Sequence, residues 1–116
     1  MMNSTKINYI ELPARSLEAT KRFFQQAFGW EFVDYGPEYS AIQNAGLDGG
    51  FYQSDLVAQT STGSALVVLY SKDLEQSLKS VEDAGGKIIK PIFDFPGGRR
   101  FQFTCPSGNE YAVWSE

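Results

Sequence analysis

The 116-residue chain contains no histidine and a single cysteine, Cys105. Without imidazole a nitrogen-rich zinc, nickel or iron site cannot be assembled, and the commonest general base near neutral pH is missing. With one thiol no intrachain disulfide can form, which suits a reducing compartment, so a cytoplasmic location is expected. No histidine is present to activate Cys105 either, so it reads as a turn residue rather than a nucleophile. Basic residues are few: ten Lys and Arg against fourteen Asp and Glu give a formal net charge of −4. A phosphate backbone needs a cationic surface, so nucleic acid is not an expected partner. Long apolar runs are lacking too, and Met1 to Ile7 is short and polar, so neither a membrane span nor a signal peptide is expected.

What the chain does have is aromatic residues, 15% of the total, and eleven glycines. These fit a sheet-rich fold whose interior is filled or lined by rings. The length fits one domain with a core of its own, spanning 1–116.

The chain also repeats itself. Ser16-Leu17-Glu18 is echoed by Asp73-Leu74-Glu75, 57 residues later, and the same offset lays Leu12 on Leu69, Ala27 on Ala84 and Gly29 on Gly86. The order of elements repeats with these identities. Ile7 to Leu12 reads as a strand closed by Pro13, and Ser16 as the cap of a helix over Leu17 to Ala27 that ends at Gly29. Leu17, Thr20, Phe23, Phe24 and Ala27 form its buried stripe. Strands follow at Trp30 to Asp34, Tyr39 to Asn44 and Gly50 to Gln53. Ser54 to Ser64 is polar and reads as a linker with freedom to move. The second copy then runs from a strand at Ala65 to Tyr70, through a helix at Leu74 to Ala84 capped by Asp73, to strands at Lys87 to Ile92, Arg100 to Thr104 and Asn109 to Trp114. The expected fold is α+β: two βαβββ modules, 6–53 and 65–116 around the linker 54–64, forming a curved eight-stranded mixed sheet with both helices on its outer face. Two copies of one small unit commonly enclose a cavity, so a shared pocket is the expected site.

The carriers of a wider likeness are Tyr9-Ile10-Glu11-Leu12-Pro13-Ala14, Ala27-Phe28-Gly29-Trp30, Asp83-Ala84-Gly85-Gly86-Lys87 and Pro106-Ser107-Gly108-Asn109. With them the chain resembles the vicinal oxygen chelate superfamily of glyoxalase I, ring-cleaving dioxygenases, fosfomycin-resistance enzymes and bleomycin-resistance proteins. The resemblance implies a divalent metal held by His and Glu at three positions. Here those positions carry Tyr9, Leu66 and Ala112, none of them a credible ligand. No metal and no other cofactor is therefore expected. A carboxylate-only magnesium or calcium site on Glu11, Glu110 or Asp48 stays formally open. The resemblance also implies a homodimer, with or without modules exchanged between chains.

If the geometry that the resemblance implies holds, the side chains on the face shared with the three lost ligand positions line the cavity, and alternation along the strands extends that face. They are Tyr9 and Glu11 on the first strand, Tyr39 and Gln43 on the third, and Leu66, Val68 and Tyr70 on the fifth. Arg100 and Gln102 on the seventh join them, with Glu110, Ala112 and Trp114 on the last. Phe101, Phe103, Tyr111 and Val113 fall on the helix side. Each polar candidate has a plainer reading. Glu11 would serve as a sheet hydrogen-bonding group, Glu110 as a solvated carboxylate, and Arg100 as the ion-pair partner of either. Trp114 would cap the core or a dimer interface, and Asp48-Gly49-Gly50 is a turn without the lysine or helix start of a phosphate loop. Three functions follow. The first is non-catalytic binding or sequestration of a small aromatic or cationic molecule. The second is a metal-independent isomerase or lyase, with Glu11 or Glu110 as proton acceptor and Arg100 stabilising an anion. The third, with least support, is a partner-binding module. A classical metal-dependent glyoxalase or dioxygenase activity is not expected.

Overall fold

Two side-chain-capped helices organise the two halves. In the computed structural model, which describes residues 4–116, the Ser16 hydroxyl accepts the Ala19 amide at 3.1 Å and starts α1, Leu17–Phe28. Gly29 ends it in the left-handed region, at φ 72°, where a side chain would be strained. The Asp73 carboxylate accepts the Gln76 amide at 3.1 Å and starts α2, Leu74–Asp83. Neither helix is long and apolar enough to cross a membrane.

Four strands accompany each helix. The first half contains β1 (Ile10–Ala14), β2 (Glu31–Asp34), β3 (Tyr39–Gln43) and β4 (Gly49–Gln53); the second contains β5 (Val67–Tyr70), β6 (Lys87–Phe95), β7 (Gly98–Thr104) and β8 (Glu110–Ser115). They form two mixed four-stranded sheets, ordered β1-β4-β3-β2 and β5-β8-β7-β6. In each, the first strand pairs parallel with the last and the remaining pairs are antiparallel. Each half is therefore a βαβββ unit, and the eight strands divide four and four.

Some boundaries move, for physical reasons. β1 continues through Pro13 to Ala14, because an edge strand has one side on which a missing N–H costs nothing. Leu66 precedes β5 rather than lying in it. β6 runs to Phe95 and meets β7 at Gly98, making a long hairpin around Pro96 and Gly97. Gly97, at φ 141°, takes a backbone angle that other residues rarely adopt.

One core joins the halves. Phe24 of α1 stacks on Trp30 at 4.3 Å between centroids and sits 5.7 Å from Phe51 of β4 and 5.2 Å from Tyr111 of β8. Phe23, beside it, lies 5.8 Å from Phe103 of β7. All of these except the part-buried Trp30 are fully buried, each contributing about 1.5–3 kcal/mol of apolar burial. The helix-facing sides of both sheets thus pack on α1, through Phe23 and Phe24, and α2 packs on the second sheet. The interval 54–64 is pinned rather than loose. Its Ala58 amide donates to Asn109 Oδ1 at 2.9 Å, its Ala58 carbonyl accepts the Glu110 amide at 2.9 Å, and it carries a short 3-10 turn at Thr60–Thr62.

Candidate functional site: two open sheet faces

The outward face of the first sheet carries Tyr9, Glu11, Tyr39 and Gln43. The Tyr39 hydroxyl donates to Glu11 Oε2 at 2.9 Å and lies 2.6 Å from the Tyr9 hydroxyl. A phenol has one proton, so Tyr9 is the donor in the second bond and the chain runs Tyr9 to Tyr39 to Glu11. Gly50, paired with Glu11 in the neighbouring strand, makes room for this: a Cβ there would collide with the Tyr39 ring and hydroxyl. Burial, then the hydrogen bonds to Tyr9 and Glu11, raise the Tyr39 pKa well above the ordinary phenol value, so its proton stays in the chain. Glu11 is nevertheless exposed, as is Gln43.

The outward face of the second sheet carries a different chain. Arg100 Nη2 donates to Gln102 Oε1 at 3.0 Å, and Gln102 Nε2 donates to Glu110 Oε2 at 2.7 Å. The other oxygen, Glu110 Oε1, accepts both the amide and the hydroxyl of Thr60 at 2.9 Å. Burial opposes the Glu110 charge, but the Thr60 amide and hydroxyl and the Gln102 amide outweigh it and hold its pKa below the ordinary carboxylate value. Arg100 pairs with neither Glu11 nor Glu110; its guanidinium lies over the rings of Phe93 and Phe95, at 5.6 and 6.0 Å. Trp114 meets Tyr70 edge-on at 5.1 Å, and the Tyr70 hydroxyl donates to Glu116. Ala112 lies flat beneath these groups, fully buried.

Two cavities matter. One of about 330 Å³ opens on the second sheet between Val68, Phe95, Gly97, Arg100 and Trp114. The larger, about 620 Å³, lies not on an open face but at the junction of the halves, against Ile10, Phe28, Trp30, Val67 and Leu69; of the expected lining residues it takes only Val68 and Tyr70. Leu66, outside its strand, lines neither. Phe93 and Phe95 were not anticipated. Their signal was the alternation of rings on one side of Phe93-Asp94-Phe95, just beyond the expected end of the strand. Cys105 is buried, and burial pushes its thiol pKa up, as suits a structural residue.

The expected residues therefore come together as two groups. Tyr9, Glu11 and Tyr39 make one; Arg100, Gln102, Glu110 and Trp114 make the other. No side-chain hydrogen bond or ion pair among the described residues joins them. Nor does the donor set fit a metal. No three His, Cys, Asp or Glu side chains cluster among the described residues, and Glu110 spends both oxygens on protein donors.

The sequence model of the glyoxalase/bleomycin resistance protein/dioxygenase superfamily matches residues 6–113. No curated protein sequence matches. Among solved structures, a glyoxalase-related enzyme from Fulvimarina pelagi superposes with a TM-score of 0.81 at 21% identity, over 97% of this chain and 89% of that one. The fosfomycin resistance protein FosX from Listeria monocytogenes superposes at 0.80 and 15% identity, over 98% and 95%. A glyoxalase/bleomycin resistance protein/dioxygenase family enzyme from Burkholderia phytofirmans PsJN gives 0.76 at 15%, over 93% and 96%. At such identities the structural likeness speaks for the fold alone.

Proposed function

The chain belongs to the glyoxalase/bleomycin resistance protein/dioxygenase superfamily, and from that premise we propose that it binds a small aromatic or cationic molecule on its open sheet faces, with no resident metal. The observation that carries the reading is the state of those faces. Large side chains stand half-exposed on them, with Tyr9 at 44%, Val68 at 45% and Tyr70 at 49%, around polar groups already ordered by hydrogen bonds. Exposed rings and aliphatic groups beside a few placed polar groups are the makeup of a small-molecule site. A phenol pair beside the exposed Glu11 suits a cationic portion of a ligand, and the rings around the 330 Å³ cavity suit a flat one.

Catalysis by the same groups has less behind it. A carboxylate base works best with its pKa raised toward the working pH, whereas Glu110 is shifted downward. Glu11 belongs to the other sheet and makes no contact with Arg100.

We propose further that the functional form is a homodimer in which the open face of one module meets that of the other module in a second copy. Tyr9 and Tyr70, half-exposed in a single chain, would then be covered. The deciding experiment is isothermal titration of protein dialysed against a chelator with a panel of aromatic and cationic compounds. Stoichiometric heat with at least one of them is expected without added metal. Heat that appears only after zinc, nickel or manganese is supplied, or none at all, would overturn the reading. Sedimentation velocity checks the assembly, with a dimer expected at micromolar concentration.

A further inference from the structure

The 330 Å³ cavity on the second sheet holds a cation that the protein leaves partly unsatisfied. Arg100 forms no ion pair among the described residues. Its one side-chain hydrogen bond there is to the neutral amide of Gln102. Its Nε–H is buried and has no partner. Glu110, which ends the hydrogen-bond chain that starts at Arg100, is consumed by Thr60 and Gln102, and Glu116 accepts from Tyr70. A second cation, Lys90, lies over the same Phe93 ring at 5.6 Å. The remaining walls are Val68, Phe95, Gly97 and Trp114, flat or small and without charge.

Resting on the binding reading above, we propose that this cavity is an anion-recognising pocket for a planar aromatic carboxylate. The chemistry is selective in both directions. With no carboxylate partner in the protein, the guanidinium of Arg100 keeps donors free, and a carboxylate in the cavity takes them up in charge-assisted bonds. Guanidinium presents a planar fork of donors that matches a carboxylate edge. The ligand's ring lies against Trp114 and Phe95, which offer faces and edges to a flat body. A cationic ligand in the same place would meet Arg100 with Lys90 beside it and find no free carboxylate. The volume accommodates one or two fused rings, at the lower end of small-molecule sites. The net negative charge of the chain does not oppose this: anion selectivity here is set at contact distance, within a Debye length of about 8 Å.

The test uses 2-naphthoate, its neutral amide 2-naphthamide and its cationic amidine. Each is titrated calorimetrically into the wild-type protein, Arg100→Gln and Arg100→Lys, with the circular dichroism melt of each variant as a control for folding. Naphthoate is expected to bind the wild type at least tenfold more tightly than naphthamide. Arg100→Gln should abolish that preference, and Arg100→Lys should restore part of it. A readout that needs no variant to fold is the Arg100 Nε–H resonance in a ¹⁵N-correlated spectrum, which should move downfield as naphthoate is added and stay put with the amidine. Equal affinity for acid and amide, or a preference that survives in Arg100→Gln, would refute the pocket. Tighter binding of the amidine would refute it too, while leaving small-molecule binding itself intact. If all three compounds fail to bind, the pocket assignment falls, and the wider panel decides whether the binding reading falls with it.

Discussion

At matched rungs of the two sheets, the first places Tyr39 beside Tyr52 and Pro13, and the second places Arg100 beside Trp114 and Tyr70. Two residues along, on the same face, Glu11, Gly50 and Ala41 stand where the second sheet has Val68, Ala112 and Gln102. The hydrogen-bond scaffold is the same and the outward chemistry differs. In the first sheet Gly50 lets Tyr39 fold down onto Glu11, so the polar groups close among themselves. In the second, Arg100 rises over the Phe93 and Phe95 rings and its donors outnumber the acceptors in reach. The difference teaches where a repeated fold is free to diverge. The helix-facing sides carry the burial that folds the chain, and so both keep rings and aliphatics. The outward sides carry fewer rings and more polar groups, some of them buried, as Gln102 and Glu110 are, and so each can acquire its own ligand chemistry.

That division predicts that the strongest blow to both modules at once comes from the shared core. Phe24 touches Phe51 of one sheet and Tyr111 of the other. Truncation of a fully buried phenylalanine costs about 3–5 kcal/mol. Phe24→Ala is therefore expected to lower the unfolding free energy by about that amount in urea, within a single cooperative transition. Two separate transitions would mean that the modules fold independently, and the comparison would have to be drawn between two small domains instead of two faces of one.

Next in size is the contrast between the two carboxylates. Glu110 is buried and accepts three hydrogen bonds; Glu11 is exposed and accepts one from Tyr39. In Glu110→Gln one carboxylate oxygen becomes a donor facing the donors of Gln102 or Thr60. The expected loss is about 1–3 kcal/mol near neutral pH, while Glu11→Gln should leave the urea midpoint almost unchanged. The pH dependence follows from the lowered pKa of Glu110 in the fold. A carboxylate with a depressed folded pKa contributes its full stability above the unfolded value and loses it as pH falls through the folded one. The gap between wild type and Glu110→Gln should therefore hold steady down to about pH 4.5, the ordinary value, and shrink below it. A gap that instead widens on acidification would show that the Thr60 and Gln102 donors do not stabilise the charge.

Much of this architecture was legible in the chain because it is written locally. Ser16 and Asp73 mark helix starts by a bond to an amide three residues on, and alternation put Phe101, Phe103, Tyr111 and Val113 on the helix side, where they are buried. The two polar chains lie on the side of each sheet away from Phe101, Phe103, Tyr111 and Val113, where alternation separates them, but as two groups and not as the lining of one shared cavity. How the halves dock was not legible. Nothing in the periodicity of Phe23 and Phe24 says that they pack against Phe103 and Tyr111 of the other half. The aromatic wall at Phe93 and Phe95 escaped because β6 runs three residues past Ile92, to Phe95; the length of a hairpin is settled by its partner strand. Pro13 misled in the same way, since proline ends a central strand but not an edge one.

The finest test of the comparison is the phenol chain. Tyr39 gives its proton to Glu11 and takes one from Tyr9, both on a part-exposed surface. A single hydrogen bond of this kind contributes roughly 0.5–1.5 kcal/mol, and solvent can replace either partner. Tyr39→Phe is thus expected to reduce stability by about 1 kcal/mol or less, the smallest of the three effects, and to leave naphthoate affinity at the second sheet of the same chain unchanged. In an assembly where the open faces of two copies meet, however, the Tyr39 of one chain would approach the pocket of the other. A concentration-dependent loss of naphthoate affinity in Tyr39→Phe, absent in dilute protein, would then reveal that the two faces, separate within one chain, act as one site between two.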